Sequence, residues 1–233
     1  MRRFQYSENK MICEVNVKKN FYACVASLCL APLTAAVIAN EDKPAQAESP
    51  RLVFAAGESR ADWKLYVGNP DDWMKPVRGV SGQTRSPSNV HVEIAEDASG
   101  MQVVRASWNG GPAGQVLWHN RSAQDFSAIA AAGGALSLVV RVDEAPSEAV
   151  SLRMDCGYPC TGSFKFANVL SALPAGQWVR LGIPLSCFAD AGTHLKRVDT
   201  PVLFFTTGTM QLSIADLRLE PQLPAESLVN CAS

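Results

Sequence analysis

Alternation of apolar and polar residues with a period of two is common in the chain after residue 50. In Leu136-Ser-Leu-Val-Val-Arg-Val142, positions 136, 138, 140 and 142 are apolar, while Ser137 and Arg141 fall on the other face. Val150-Ser-Leu-Arg-Met154 repeats the pattern, with Ser151 and Arg153 outward. Trp178-Val-Arg-Leu-Gly-Ile183 turns 179, 181 and 183 inward. Each describes a strand with one core face and one wetter face. Further strands are predicted at 52–55, 63–67, 90–94, 100–108, 115–119, 164–169, 202–206 and 210–220, with Gly, Pro, Asn and Asp in the gaps. In the last of these, Met210, Leu212 and Ile214 share one parity and Leu217 and Leu219 the other, so a bulge or bend is expected near Ala215. Residues 126–132 predict one helical turn; helical periodicity is otherwise nearly absent. Many short strands with turn signals between them predict an all-β sandwich. It forms one domain over residues 51–222, followed by a flexible tail at 223–233.

The first 50 residues follow different rules. Lys18 and Lys19 precede an apolar stretch that ends in small residues, Val37-Ile38-Ala39. That order is the layout of a secretory signal, so residues 1–39 read as a signal peptide with an upstream extension. Ala45-Gln46-Ala47 offers a second cleavage site. The stretch is long for a signal core, and retention as a membrane helix is the alternative. Leu28 before Cys29 is too large for a lipoprotein signal. Residues 40–50, rich in charge and holding two prolines, read as a disordered spacer. The expected location is therefore periplasmic or secreted, with no membrane attachment after cleavage.

Charge excludes some partners. Residues 1–39 hold five basic and two acidic residues of the chain's 21 and 22, which leaves 16 and 20 and a net charge of −4. A nucleic acid or an anionic membrane needs a basic face, so neither is expected as partner.

Four cysteines follow the signal: Cys156, Cys160, Cys187 and Cys231. In an exported chain they are expected to form disulfides. Gly-Tyr-Pro between Cys156 and Cys160 is turn-prone and favours a bridge between these two. A rival pairs Cys187 with one of them, because Cys187 continues the inward parity of 179, 181 and 183. Cys231 stays free or pairs between chains.

Several segments together resemble a known family. They are Ser107-Trp-Asn-Gly110, Gly134-Ala-Leu136 leading into Val140-Arg-Val-Asp143, Leu152-Arg-Met-Asp-Cys-Gly-Tyr-Pro-Cys160, and Trp178 followed by Ile183-Pro-Leu-Ser-Cys-Phe188. Val198-Asp-Thr-Pro201 and Leu212-Ser-Ile-Ala-Asp-Leu-Arg-Leu219 continue the match. Their order resembles the galactose-binding-like C-terminal domain of ExoP-type bacterial exo-β-glucosidases, of the third glycoside hydrolase family. The resemblance runs from about residue 60 to 220. It implies a jelly-roll β-sandwich and an association with carbohydrate, such as a β-glucan, or with a glycoside hydrolase partner. The catalytic domains of that family have no room in this chain, so hydrolysis is not carried over.

The candidate site follows from what a sugar offers. Its flat C–H face suits an aromatic ring, and its hydroxyls suit Asn, Asp, Arg or His. Trp108-Asn109, Trp118-His119 with Arg121, and Arg153, Asp155 and Tyr158 have that mixed composition. The alternative for the two Trp is core packing, the usual place of a large aromatic. No cofactor is expected, although Asp71, Asp72, Glu93, Glu96, Asp97 and Asp216 are candidate oxygen ligands for a structural calcium. Gly-x-Ser-x-Gly, His-Glu-x-x-His and phosphate-loop patterns are lacking, and His91, His119 and His194 have no ligand spacing. The expectation is a non-catalytic carbohydrate-binding module. A protein-docking sandwich and a small glycan-active enzyme are the alternatives.

Overall fold

A computed structural model describes residues 51–60 and 62–231 of the chain. The signal, its cleavage sites and the spacer lie outside the described residues. The described residues form fourteen strands in two antiparallel sheets. The strands are β1 (Arg51–Ala55), β2 (Glu58–Ser59), β3 (Lys64–Asn69), β4 (Asp72–Pro76), β5 (Ser81–Gln83), β6 (Val90–Glu96) and β7 (Gln102–Asn109). They continue with β8 (Gly114–His119), β9 (Ala135–Glu144), β10 (Val150–Asp155), β11 (Thr161–Lys165), β12 (Val179–Pro184), β13 (Thr200–Thr206) and β14 (Thr209–Glu220). One sheet runs β12-β9-β14-β7-β6-β5, with β1 beside the far half of β14 and β2 beside β1. The other runs β11-β10-β13-β8-β3-β4. Short helices α1 (Ser127–Ala131), α2 (Ala167–Ala172) and α3 (Leu185–Asp190) complete an all-β jelly-roll sandwich.

The alternation places one set of residues between the sheets. Leu136, Leu138, Val140, Leu152, Met154, Ile183, Met210, Leu212 and Ile214 are all fully buried in a cluster contributed by both sheets. Burial of this apolar surface is the main favourable term, at roughly 25 cal/mol per Å². The parity change in β14 is absorbed as expected: Ile214 pairs with Val140 and Asp216 with Val139, so Ala215 is the extra residue. Leu217 and Leu219 are thereby returned to the core.

Three local expectations need correction. The strand expected at 164–169 ends at Lys165, and Ala167–Ala172 is helix. Cys187 does not prolong the parity of β12, because Pro184 ends the strand and α3 begins. The tail expected to be flexible is tied back: the Val229 amide donates to the Gly182 carbonyl at 2.8 Å, and Cys231 is bonded to Cys187. The Cys156–Cys160 bridge forms as favoured, and the rival pairing does not.

Candidate functional site

Strand parity decides which side chains reach the outer face of the six-stranded sheet. In β8, Val116 and Trp118 point into the sandwich, so Gln115, Leu117 and His119 point out. In β13, Val202 and Phe204 point in, and Leu203 and Phe205 point out. In β10, Leu152 and Met154 point in, while Arg153 and Asp155 point out. The outward apolar residues Tyr66, Leu117, Leu203 and Phe205 form a second, smaller cluster. Leu117, Leu203 and Phe205 of this cluster are the floor of a groove of about 400 Å³, a size that suits a small ligand or part of a polymer.

The walls combine a ring platform with polar groups. Trp73 on β4 is 40% exposed and stacks on Phe205, with centroids 6.2 Å apart and planes 25° apart. Gln115 Nε2 donates to the Trp73 carbonyl at 2.8 Å and fixes the platform's backbone. Gly68 lets β4 come this close, since a Cβ there would lie 2.2 Å from the same carbonyl. Across the floor, Tyr158 stands fully exposed in the loop closed by the Cys156–Cys160 bridge.

The polar groups are already oriented. Arg153 reaches both Asp155 oxygens at 3.3 and 3.4 Å, and its Nε donates to Thr161 Oγ1 at 3.2 Å. The Thr161 hydroxyl donates to Asp155 at 2.5 Å. Burial raises the Asp155 carboxyl above its ordinary value, against the lowering effects of the Thr161 hydrogen bond and of Arg153. Thr200 gives its one hydroxyl proton to Asp199 at 3.1 Å. The same hydroxyl lies 3.1 Å from His119 Nδ1, which ties the imidazole to β13.

The groove thus collects His119, Arg153, Asp155 and Tyr158 from the sequence candidates. It does not collect the others. Trp118 is fully buried, lies opposite the core residues Leu65 and Val202 in register, and packs 5.5 Å from Phe54. Trp108 lies opposite Val90 and Met210, and its indole donates to the Gly114 carbonyl at 3.2 Å. Neither ring offers a face to a ligand, and the expectation of Trp platforms at 108 and 118 is corrected to core packing. Asn109 ends β7 on the eight-stranded sheet, away from the groove. Arg121 lines an adjoining hollow. The sequence reading missed Trp73, Gln115, Phe205 and the floor residues.

The calcium candidates do not converge. Asp72, Glu93, Glu96, Asp97 and Asp216 each accept a hydrogen bond from a nearby protein group. Among the described residues, no three His, Cys, Asp or Glu side chains come together in a group that could hold a metal ion.

Comparison with known proteins gives a family. The ExoP C-terminal family, described as galactose-binding domain-like, matches residues 61–219. Among solved structures, the extra C-terminal domain (X) of the exo-1,3/1,4-beta-glucanase ExoP from a Pseudoalteromonas species superposes with a TM-score of 0.63 at 16% identity. That match covers 78% of this chain and 99% of the domain. The whole ExoP enzyme matches over 22% of its own length and 78% of this chain, with a TM-score of 0.62 at 16% identity. The family 30 carbohydrate-binding module of the cellulosomal cellulase Cel9D-Cel44B of Clostridium thermocellum gives 0.52 at 14% identity, over 74% of this chain and 97% of the module. At these identities the structural likeness speaks to the fold. No curated protein matches the chain in sequence. The family match, which spans more than half of the sequence, carries the assignment: this chain belongs to the galactose-binding domain-like ExoP C-terminal family.

Proposed function

We propose that this protein is an exported, non-catalytic module that binds an oligosaccharide or polysaccharide in the groove of the six-stranded sheet. The observation that carries the reading is Trp73, an exposed ring held on Phe205 and faced by His119, Arg153 and Asp155. A sugar ring stacks its C–H face on the indole, and the polar groups bond its hydroxyls. An apolar patch without polar neighbours would instead have favoured a docking surface for another protein. A β-glucan is the first ligand to test, because a domain of the same family belongs to an enzyme described as an exo-1,3/1,4-beta-glucanase. The two disulfides support an oxidising compartment.

A shallow groove leaves much of a glycan in water, so a dissociation constant of about 10⁻⁵ to 10⁻³ M is expected, or roughly 4–7 kcal/mol. Calorimetry with β-1,3- and mixed-linkage glucan oligosaccharides tests it. Trp73→Ala should weaken binding by at least about tenfold, the order of one lost stacking contact, in a protein that still folds cooperatively. Absence of heat with every β-glucan at millimolar concentration would overturn the reading. Release of reducing sugar by rigorously purified protein would replace it with a catalytic one.

A further inference from the structure

The groove does not stop at His119. His119 also lines a hollow of about 180 Å³, shared with Lys64, Tyr66 and Arg121. Those last three residues line, with Arg78, a pocket of about 440 Å³. The three hollows therefore follow one another along the surface, each sharing a side chain with the next. Register makes the junction close: Lys64 on β3 lies opposite His119 on β8. The Tyr66 ring meets His119 edge-on, with centroids 5.8 Å apart.

The charge changes along this path. At the Trp73 end, Arg153 is neutralised by Asp155. Among the described residues, the pocket at the other end is lined by Lys64, Arg78 and Arg121 and by no carboxylate, and Asp62 is the one acid lining the small hollow between. All three cations are exposed. Among the described residues, none of them is in an ion pair. The pocket floor is apolar, with Phe54, Trp63 and Leu65 each nearly or fully buried. In a chain of net charge −1, three unpaired cations around one apolar-floored pocket run against the overall balance. Like charges held together repel until an anion joins them. Guanidinium groups fit planar or multi-oxygen anions through paired N–H donors.

We infer that the glycan bound here is acidic: a neutral sugar ring stacks at Trp73, and a negative substituent of the same chain is held between Lys64, Arg78 and Arg121. The inference rests on the groove being a carbohydrate site. The shared chemistry is an anionic oxygen cluster on a sugar, supplied by a uronic carboxylate or by a sulfate ester.

Three probes separate the possibilities: a neutral β-1,3-glucan hexasaccharide, the same backbone oxidised to a carboxylate at C6, and the same backbone O-sulfated. Binding is measured by calorimetry at low and high salt. At least one charged probe should bind on the order of tenfold tighter than the neutral one at low salt, as expected for two or three charge-assisted contacts at exposed positions. That advantage should shrink at high salt, since exposed charges are screened. The better of the two charged probes identifies the substituent. Lys64→Gln combined with Arg78→Gln should abolish the advantage without changing the melting temperature or neutral-probe binding. Equal binding of all three probes, or an advantage that survives the double substitution, overturns the acidic-glycan inference and leaves the groove standing. Failure of every probe to bind overturns both readings.

Discussion

Trp178 and Asp97 lie 81 residues apart in sequence, yet the Trp178 indole donates to the Asp97 carboxylate at 2.9 Å. Trp178 leads into β12 and Asp97 follows β6, strands separated in their sheet by β9, β14 and β7. Arg141 on β9 bridges the span: its guanidinium sits 4.9 Å from the Trp178 ring centroid, 3.8 Å from Asp97 and 2.6 Å from Asp143. A polar clasp thus crosses the outer face of the eight-stranded sheet.

The clasp gives the domain an acid sensitivity. The Ser99 hydroxyl above all, then the Ser99 and Met101 amides and the Trp178 indole, hold the Asp97 carboxyl well below the usual carboxylate range. A carboxyl depressed in the folded state stabilises it above the unfolded value, near pH 4, and that stability is lost as pH falls through the folded value. Asp97→Asn should therefore lower the melting temperature at neutral pH and flatten its decline in acid. Melts recorded from neutral to strongly acid pH check this. Superimposable profiles would show that the clasp contributes nothing.

Trp118 and Trp73 should separate cleanly by substitution. Trp118→Ala empties a fully buried site between the sheets and should cost about 3–5 kcal/mol of unfolding free energy, with sugar binding lost only as the fold is lost. Urea titration measures it. A cost below about 1 kcal/mol would contradict the core placement.

Gly68 tests whether the platform's backbone position matters. A methyl group there meets the Trp73 carbonyl at 2.2 Å, so β4 must move. Gly68→Ala should cost about 1–3 kcal/mol, as overpacking does, and weaken sugar binding alongside Trp73→Ala. Unchanged affinity in a folded Gly68→Ala protein would mean that Trp73 tolerates displacement.

The two disulfides should contribute unequally. Cys187 and Cys231 are 44 residues apart and Cys156 and Cys160 four, so the unfolded chain loses more freedom through the first bridge. Chain-entropy estimates give about 4 kcal/mol for the long bridge and about 2 kcal/mol for the short one. Cys187→Ser with Cys231→Ser should lower stability the more. Cys156→Ser with Cys160→Ser should lower stability less but weaken binding, because that loop carries Tyr158 to the groove. Chemical denaturation and calorimetry on both double variants distinguish the effects.

The strands were legible because a half-buried strand writes its parity into the sequence, as Leu136 to Val142 does. The platform was not, because β4 is an edge strand with water near both faces. Asp72, Trp73, Met74, Lys75 and Pro76 show no alternation, and Pro76 argues against a central strand. The mistake over Trp118 came from composition: an aromatic beside His119 reads as a platform until the register sets it opposite Leu65 and Val202. One trace of the groove was present. Leu65-Tyr-Val67, Val116-Leu-Trp118 and Val202-Leu-Phe-Phe205 are apolar on both parities, which a strand with one solvated face has no reason to be. The tied tail left no comparable trace, since Cys231 sits far from Cys187 in a stretch without periodicity.

The extra residue at Ala215 has a consequence for length variation. Deleting it would leave Asp216 outward after Ile214 and bring Leu217 inward on an unbroken alternation, so this strand holds one position that can be lost without inverting its halves. Loss of a residue at Leu212 or Leu217 would instead turn part of the buried set toward water. Relatives of this domain should therefore carry their single-residue gaps in the final strand at the bulge.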